Sequence, residues 1–196
     1  MCPHFSSFGM LKGFEYSLEY FKHCLFTEES FSIAPSPSWI DDEWYLNQHD
    51  RVFIPNKGFR TIQTGKTEGV LIGGNLCTFN LLHGTEFMPS LEDKIIFIED
   101  DFESHSATFD RDLQSLIHQK GFNQVKGIVI GRFQNASKMT FEKLFQIIKS
   151  KKDLASIPVI AEVDFGHTYP QITFPVGGYV KINSSDNGSS IEITKH

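Results

Sequence analysis

From Lys94 onward the chain alternates apolar runs with amphipathic stretches, and few folds accept that order. Residues 94–100 (KIIFIED) are a continuous apolar run ending in acids, and residues 127–133 (GIVIGRF) and 158–163 (PVIAEV) are two more. Residues 106–120 repeat Phe109, Leu113, Leu116 and Ile117 at helical spacing and stop at Gly121. Residues 140–151 repeat Leu144, Phe145 and Ile148 behind a capping Thr140. Apolar runs without polar alternation belong to strands covered on both faces. Strand, helix, strand, helix, strand in this order predicts an α/β fold, a parallel sheet with right-handed crossovers. Around this unit, residues 61–76 predict two strands about a turn at Gly65-Lys66. Gly73-Gly74 ends the second and permits a close backbone or substrate approach. A short helix over 78–83 follows. The chain closes with a hairpin, 171–183 and 190–194, around Asp186-Asn187-Gly188.

A length of 196 residues suits one ordinary domain plus an extra segment, and nineteen Phe can fill its core. A net charge of −6 argues against a nucleic-acid binder, because phosphate contacts need an excess of Lys and Arg. No apolar run reaches the roughly 18–20 residues that span a membrane. The first residues lack both the basic and the apolar parts of a secretion signal. Three widely spaced cysteines (Cys2, Cys24, Cys77) predict free thiols in a reducing compartment, the cytoplasm. No His/Cys/Asp set has metal-ligand spacing, so neither a metal nor a cofactor is expected.

The first third is divided as 1–34, 35–60 and 61–196. Residues 1–9 are apolar and aromatic and start abruptly, as the end of another domain would. Residues 13–26 predict a helix with Phe14, Leu18, Phe21 and Leu25 on one face. That face completes a neighbouring domain or packs on its own core; the abrupt start ahead of it favours the neighbour. Residues 35–60 form a linker whose prolines forbid a regular helix. It carries Trp39 and Trp44 among acids, either as a loop over a ligand or as a plug in a domain seam.

Chemistry belongs at the carboxyl ends of the parallel strands, which share one edge of the sheet. Glu99, Asp100 and Asp101 end one strand, Arg132 the next, and Asp164 and His167 the third. A carboxylate beside an imidazole is the orienting half of a hydrolytic triad, and Glu99 and His167 fit that pair. The nucleophile is missing. No serine sits on a tight strand-to-helix elbow, and nothing around Cys77 lowers a thiol pKa.

Four ordered motifs carry a resemblance: LIGGNLCTFNLLHGT (71–85), KIIFIED (94–100), GIVIGRF (127–133) and PVIAEVDFGHTYPQITFPVGG (158–178). Together they resemble the LD-carboxypeptidase family, and within it the microcin C immunity branch. The segment CPHFSSFGMLKGFEYSLEYF resembles the end of that branch's N-terminal domain. The resemblance implies a C-terminal domain of a serine peptidase whose Ser-Glu-His triad is divided between two domains. Glu99 and His167, 68 residues apart, hold the Glu and His positions. The serine and oxyanion-hole amides come from a Gly-x-Ser-Asp elbow that this sequence lacks, so the chain alone is expected to be inactive. Implied substrates are murein LD-peptides or the aminoacyl nucleotide of processed microcin C, with Trp39 or Trp44 stacking on the adenine. Asn75 and Arg132 are candidates for substrate or domain-interface contacts; otherwise Asn75 caps the following helix and Arg132 pairs with an acid. Cys77 is read as a packing residue. Implied partners are the N-terminal domain and, through the exposed Phe14/Leu18/Phe21 face, a second copy in a homodimer. The alternative is a non-catalytic module that binds a nucleotide or peptide.

Overall fold

The computed structural model describes residues 2–196. Its helices are α1 (Glu15–Phe26), α2 (Leu76–Asn80), α3 (Ser106–Ile117) and α4 (Phe141–Ser150). Its strands are β1 (Phe31–Ile33), β2 (Ser38–Trp39), β3 (Ile54–Pro55), β4 (Arg60–Gln63), β5 (Gly65–Asn75), β6 (Lys94–Glu99), β7 (Gly127–Gly131), β8 (Val159–Val163), β9 (Tyr179–Ser185) and β10 (Gly188–Lys195). Eight strands form one sheet in the order β1-β10-β9-β5-β6-β7-β8-β4. The four central strands, β5 to β8, run parallel, and the outer strands are antiparallel. Strands β2 and β3 pair separately. Among the described residues no helix is long and apolar enough to cross a membrane.

The expected α/β architecture follows from how the apolar runs divide between two cores. Ile96, Ile98, Ile128 and Ile130 pack against Phe109, Leu113 and Leu116 of α3 and Leu144 and Ile148 of α4. The alternate residues Ile95, Phe97 and Val129 face the other side, where Tyr20 and Cys24 of α1, Phe31 and Ile33 of β1 and the β9–β10 hairpin cover them. Each such buried side chain contributes about 1.5–3 kcal/mol relative to exposure, so slipping a strand by one residue is strongly disfavoured. Gly73 permits the β5–β6 pairing. A Cβ there would lie 1.8 Å from the Phe97 carbonyl oxygen, so the close approach is to backbone.

One irregularity shapes the functional edge. Between Val129 and Gly131, β7 advances two residues while β8 advances three, from Ile160 to Val163. The extra residue makes a bulge at Glu162, whose φ is +58°. Ala161 points into the helical core, and the bulge turns Val163 into the opposite one.

Several sequence expectations need correction. Strands β4 and β5 are not hairpin partners: β4 pairs with β8 at the far edge, and β5 lies between β9 and β6. The sheet curls until β4 returns to the hairpin, where Thr61 Oγ1 donates to the Ser185 carbonyl at 2.7 Å. Alternating apolar spacing does not specify which strand a neighbour pairs with. Strand β9 starts at Tyr179; residues 171–178 are irregular. Phe145 is 39% exposed although its helix buries Leu144 and Ile148. The Phe14 face of helix α1 is expected to lie exposed, but Phe14 is buried, although the sheet and hairpin lie beneath the other side, under Ser17, Tyr20 and Cys24. Phe14 instead packs with Met10 and Trp44, while Leu25 and Phe26 stay exposed.

Candidate active site

The carboxyl ends of β5 to β8 meet at one edge. Asn75 pairs in register with Glu99, and the backbone N–H of Arg132 donates to the Val163 carbonyl at 3.0 Å. Past β8 the chain makes a tight turn through Asp164-Phe165-Gly166-His167. Phe165 anchors it: the ring is fully buried, 5.6 Å from Phe97 and 5.3 Å from Phe174 between centroids. Gly131 lets the turn close, since a Cβ there would meet the Phe165 carbonyl oxygen at 2.5 Å. Gly166 lies directly on Glu99. A Cβ at that position would stand 2.7 Å from Oε2, and its φ is +106°.

This places the His167 ring over Glu99. Nδ1 lies 2.8 Å from Glu99 Oε2, with Glu99 almost wholly buried and the imidazole half-exposed. The hydrogen bond to the Glu99 carboxylate raises the His167 pKa above its ordinary value, partial burial opposes it, and Asp101 and Asp100 add to the rise. With Nδ1–H donating to the carboxylate, Nε2 is left as the proton acceptor. Among the described residues no hydroxyl or thiol hydrogen-bonds to it. A cavity of about 350 Å³ opens there, lined by Cys2, His4, Glu99, Gly166, His167 and Gln171 among others. A larger concavity of about 490 Å³ lies on the β9–β10 face, bordered by Lys66, Glu68, Lys181 and Glu192. It has interleaved charges and no imidazole–carboxylate pair, so the smaller cavity is the candidate site.

A second polar cluster lies beside the pair. Asp164 is completely buried. It accepts from the Ser36 backbone N–H at 2.8 Å, Asn56 Nδ2 at 3.1 Å and Arg132 Nη2 at 3.2 Å. The same guanidinium donates to Asn56 Oδ1 at 2.8 Å and to the carbonyl of the bulged Glu162 at 3.0 Å. Arg132 is therefore buried and engaged through Nη2, its Nε has no hydrogen-bond partner, and its guanidinium stacks 5.0 Å from the Trp39 ring. Residues 34–60 are thus bolted to the ends of β7 and β8. The sequence marks Asp164 as a polar strand end but gives no signal for Ser36 or Asn56, whose backbone and amide complete the cluster.

The remaining candidates divide. Asn75 caps α2, accepting from the Thr78 N–H at 3.0 Å, and its amide donates to Asp100 at 3.3 Å. Burial pushes the carboxyl of Asp100 up. Trp44 is buried against Met10 and Phe14, whereas Trp39 is only half-buried and borders two shallow cavities with Arg132, Phe141 and Glu162. The Cys77 thiol is pushed up by desolvation and then by Asp100 and Asp112, the opposite of an activated nucleophile.

Comparison with known proteins accords with this geometry. Residues 68–182 match the LD-carboxypeptidase C-terminal domain. A putative carboxypeptidase of Bacillus subtilis, YocD, is 51% identical over 194 residues, 99% of this chain and 60% of that protein. A crystal structure of an MccF-like protein from Bacillus anthracis superposes with a TM-score of 0.97 at 48% identity, covering 100% of this chain and 60% of the other. The microcin C7 self-immunity protein MccF of Escherichia coli is 31% identical over 167 residues, 80% of this chain and 46% of that protein. A structure of MccF in complex with aspartyl sulfamoyl adenosine matches with a TM-score of 0.80 at 28% identity, over 100% of this chain and 60% of the other. The chain spans about 60% of the length of the first of these relatives. It belongs to the LD-carboxypeptidase family, of which it contains the C-terminal domain.

Proposed function

We propose that this chain supplies the Glu and His of a Ser-Glu-His hydrolase that cleaves amide-type bonds of murein peptides or of aminoacyl nucleotides. The observation that carries this is the 2.8 Å bond between His167 Nδ1 and a buried Glu99, with Nε2 facing a cavity. Glu99 fixes the tautomer and stabilises the imidazolium when His167 takes the proton of an attacking serine. The serine comes from outside residues 1–196, on a domain that meets the cavity. His167 then gives that proton to the leaving amine, and water repeats the cycle on the acyl-enzyme.

Trp39 is the ring proposed to stack on a substrate base. It is half-buried and backed by Arg132, whereas Trp44 is spent in the core. The complex of MccF with aspartyl sulfamoyl adenosine supports the nucleotide reading. The kinship with carboxypeptidases supports the peptide one. Residues 1–34, whose Phe8–Phe21–Phe26 rings remain partly exposed, are proposed as the seam toward the serine-bearing domain.

The chain alone is expected to be inert, since loss of one triad member costs roughly 10⁴–10⁶ in rate. The test is complementation. The part of the Bacillus subtilis relative outside the aligned residues is made separately, mixed with this chain, and offered an LD-tetrapeptide and aspartyl sulfamoyl adenosine. Hydrolysis only in the mixture, lost with Glu99→Ala, is the expected result. An inert mixture in which this chain still binds the nucleotide would replace catalysis by binding.

A further inference from the structure

We propose that Gln171 is a positioning residue for His167, and that through Ser17 it makes helix α1 part of the catalytic apparatus. The inference rests on the reading of His167 as general base. His167 follows Gly166, the residue with the most backbone freedom in the turn, held at a φ of +106°. The Gly166 carbonyl and the His167 N–H belong to one planar peptide. Whatever fixes that carbonyl fixes the plane from which the His167 side chain departs. The Gln171 side-chain Nε2 donates to the Gly166 carbonyl, five residues back across the loop.

Gln171 is itself fixed from the other side. Its backbone N–H donates to Ser17 Oγ at 2.8 Å, and Ser17 is a 1%-exposed residue of α1. Between the two, Tyr169 exchanges a pair of backbone hydrogen bonds with Ile40, at 2.7 and 2.8 Å. The loop carrying His167 is therefore clamped by α1, by the segment before the Trp44 turn, and by its own glutamine. Gln171 also borders the cavity into which Nε2 looks. With the clasp intact, Gly166 stays flat against Glu99 and the 2.8 Å bond is held. With it released, Gly166 is free to swing and the ring loses its partner.

The readout is the titration of His167 in the 196-residue chain by histidine-resolved NMR. The signal is picked out of the eight histidines by its loss in His167→Gln. The groups that face His167 are Glu99, Asp100 and Asp101 at and just past the end of β6, with Cys2, His4 and Tyr169 around the cavity; none is altered in the variants. Gln171→Met keeps length without a donor, and Ser17→Ala removes the acceptor from α1. Both are expected to lower the apparent pKa of His167 toward the ordinary value, by about half a unit or more for Gln171→Met. The other histidines should titrate unchanged, which separates loss of the clasp from loss of the fold. If Gln171→Met does not fold, Ser17→Ala carries the test alone. Wild-type titration of His167 in every folded variant would overturn the clasp. An unraised His167 in the parent chain would instead remove the coupled Glu99–His167 pair on which the clasp acts.

Discussion

Replacing Arg132 with Leu tests whether the buried polar cluster, rather than the apolar core alone, holds the Trp39 segment to the carboxyl edge of the sheet. Arg132 is 5% exposed and Asp164 0%. Removing one partner of a buried pair costs about 3–5 kcal/mol, because the other charge stays buried. Asp164 keeps the Ser36 N–H and the Asn56 amide, which sets the loss at the lower end, about 3 kcal/mol. The Glu162 carbonyl loses a donor as well, adding about 1 kcal/mol. For a chain of this length 1 kcal/mol moves Tm by about 2–4 °C, so a fall of about 8–16 °C is expected. The loss also has a pH signature. Burial pushes the Asp164 carboxyl up, while Ser36 and Arg132 pull it down. A folded pKa above the unfolded value, about 3.9, means that the group's stabilisation is present below that value and is lost as pH rises through the folded pKa. Without Arg132 the folded pKa moves higher still. The deficit of Arg132→Leu should therefore widen from pH 4 to pH 7.5, and Asp164→Leu in the same chain should recover part of it. Calorimetric scans at the two pH values decide it. A Tm change below about 2 °C, or an equal deficit at both pH values, would refute the argument that an unpaired buried carboxylate sets the cost.

Four further outcomes follow from the same geometry. Gly166→Ala places a methyl 2.7 Å from Glu99 Oε2 at a φ of +106°, and should cost about 1–3 kcal/mol by chemical denaturation while abolishing activity in the complemented enzyme. Trp44→Ala should destabilise by about 3–5 kcal/mol in the same assay, as a core ring does, whereas Trp39→Ala should cost far less and weaken nucleotide binding read by fluorescence. Glu99→Gln should bring the raised pKa of His167 down in an NMR titration. In the complemented wild-type enzyme, the rate should rise with pH through a value above about 6.5, because only neutral imidazole accepts the proton.

The meeting of Glu99 and His167 at one edge is legible because it depends on local signals. An apolar run ending in acids gives a buried strand with Glu99 at its tip, and a run ending in Asp164-Phe165-Gly166 gives a turn that presents His167. Helix α4 and its Thr140 cap were readable for the same reason: capping is a matter of neighbours three residues apart. What escaped was set by long-range placement. Nothing in residues 60–65 tells that β4 crosses to the far edge while β5 stays near the centre. The apolar spacing of Phe14, Leu18 and Phe21 does not tell that Phe14 is covered by Met10 and Trp44 of the same chain, nor that the sheet lies under Tyr20 and Cys24. Arg132 reads equally as a substrate or interface contact or as the partner of an acid, and only the bulge at Glu162 and the loop carrying Asn56 show where its donors go. The Ser17–Gln171 bond joins residues 154 apart and leaves no trace in composition or spacing.

The most direct test of the central claim uses a fluorophosphonate, which labels a serine only when a neighbouring base activates it. The part of the Bacillus subtilis relative outside the aligned residues, proposed to bear the serine, is treated alone, with this chain, and with its His167→Ala variant. Labelling that appears only with the intact chain, and fails with His167→Ala, is the predicted result. Labelling that is the same with and without His167 would contradict the assignment of His167 and Glu99 as the activating pair.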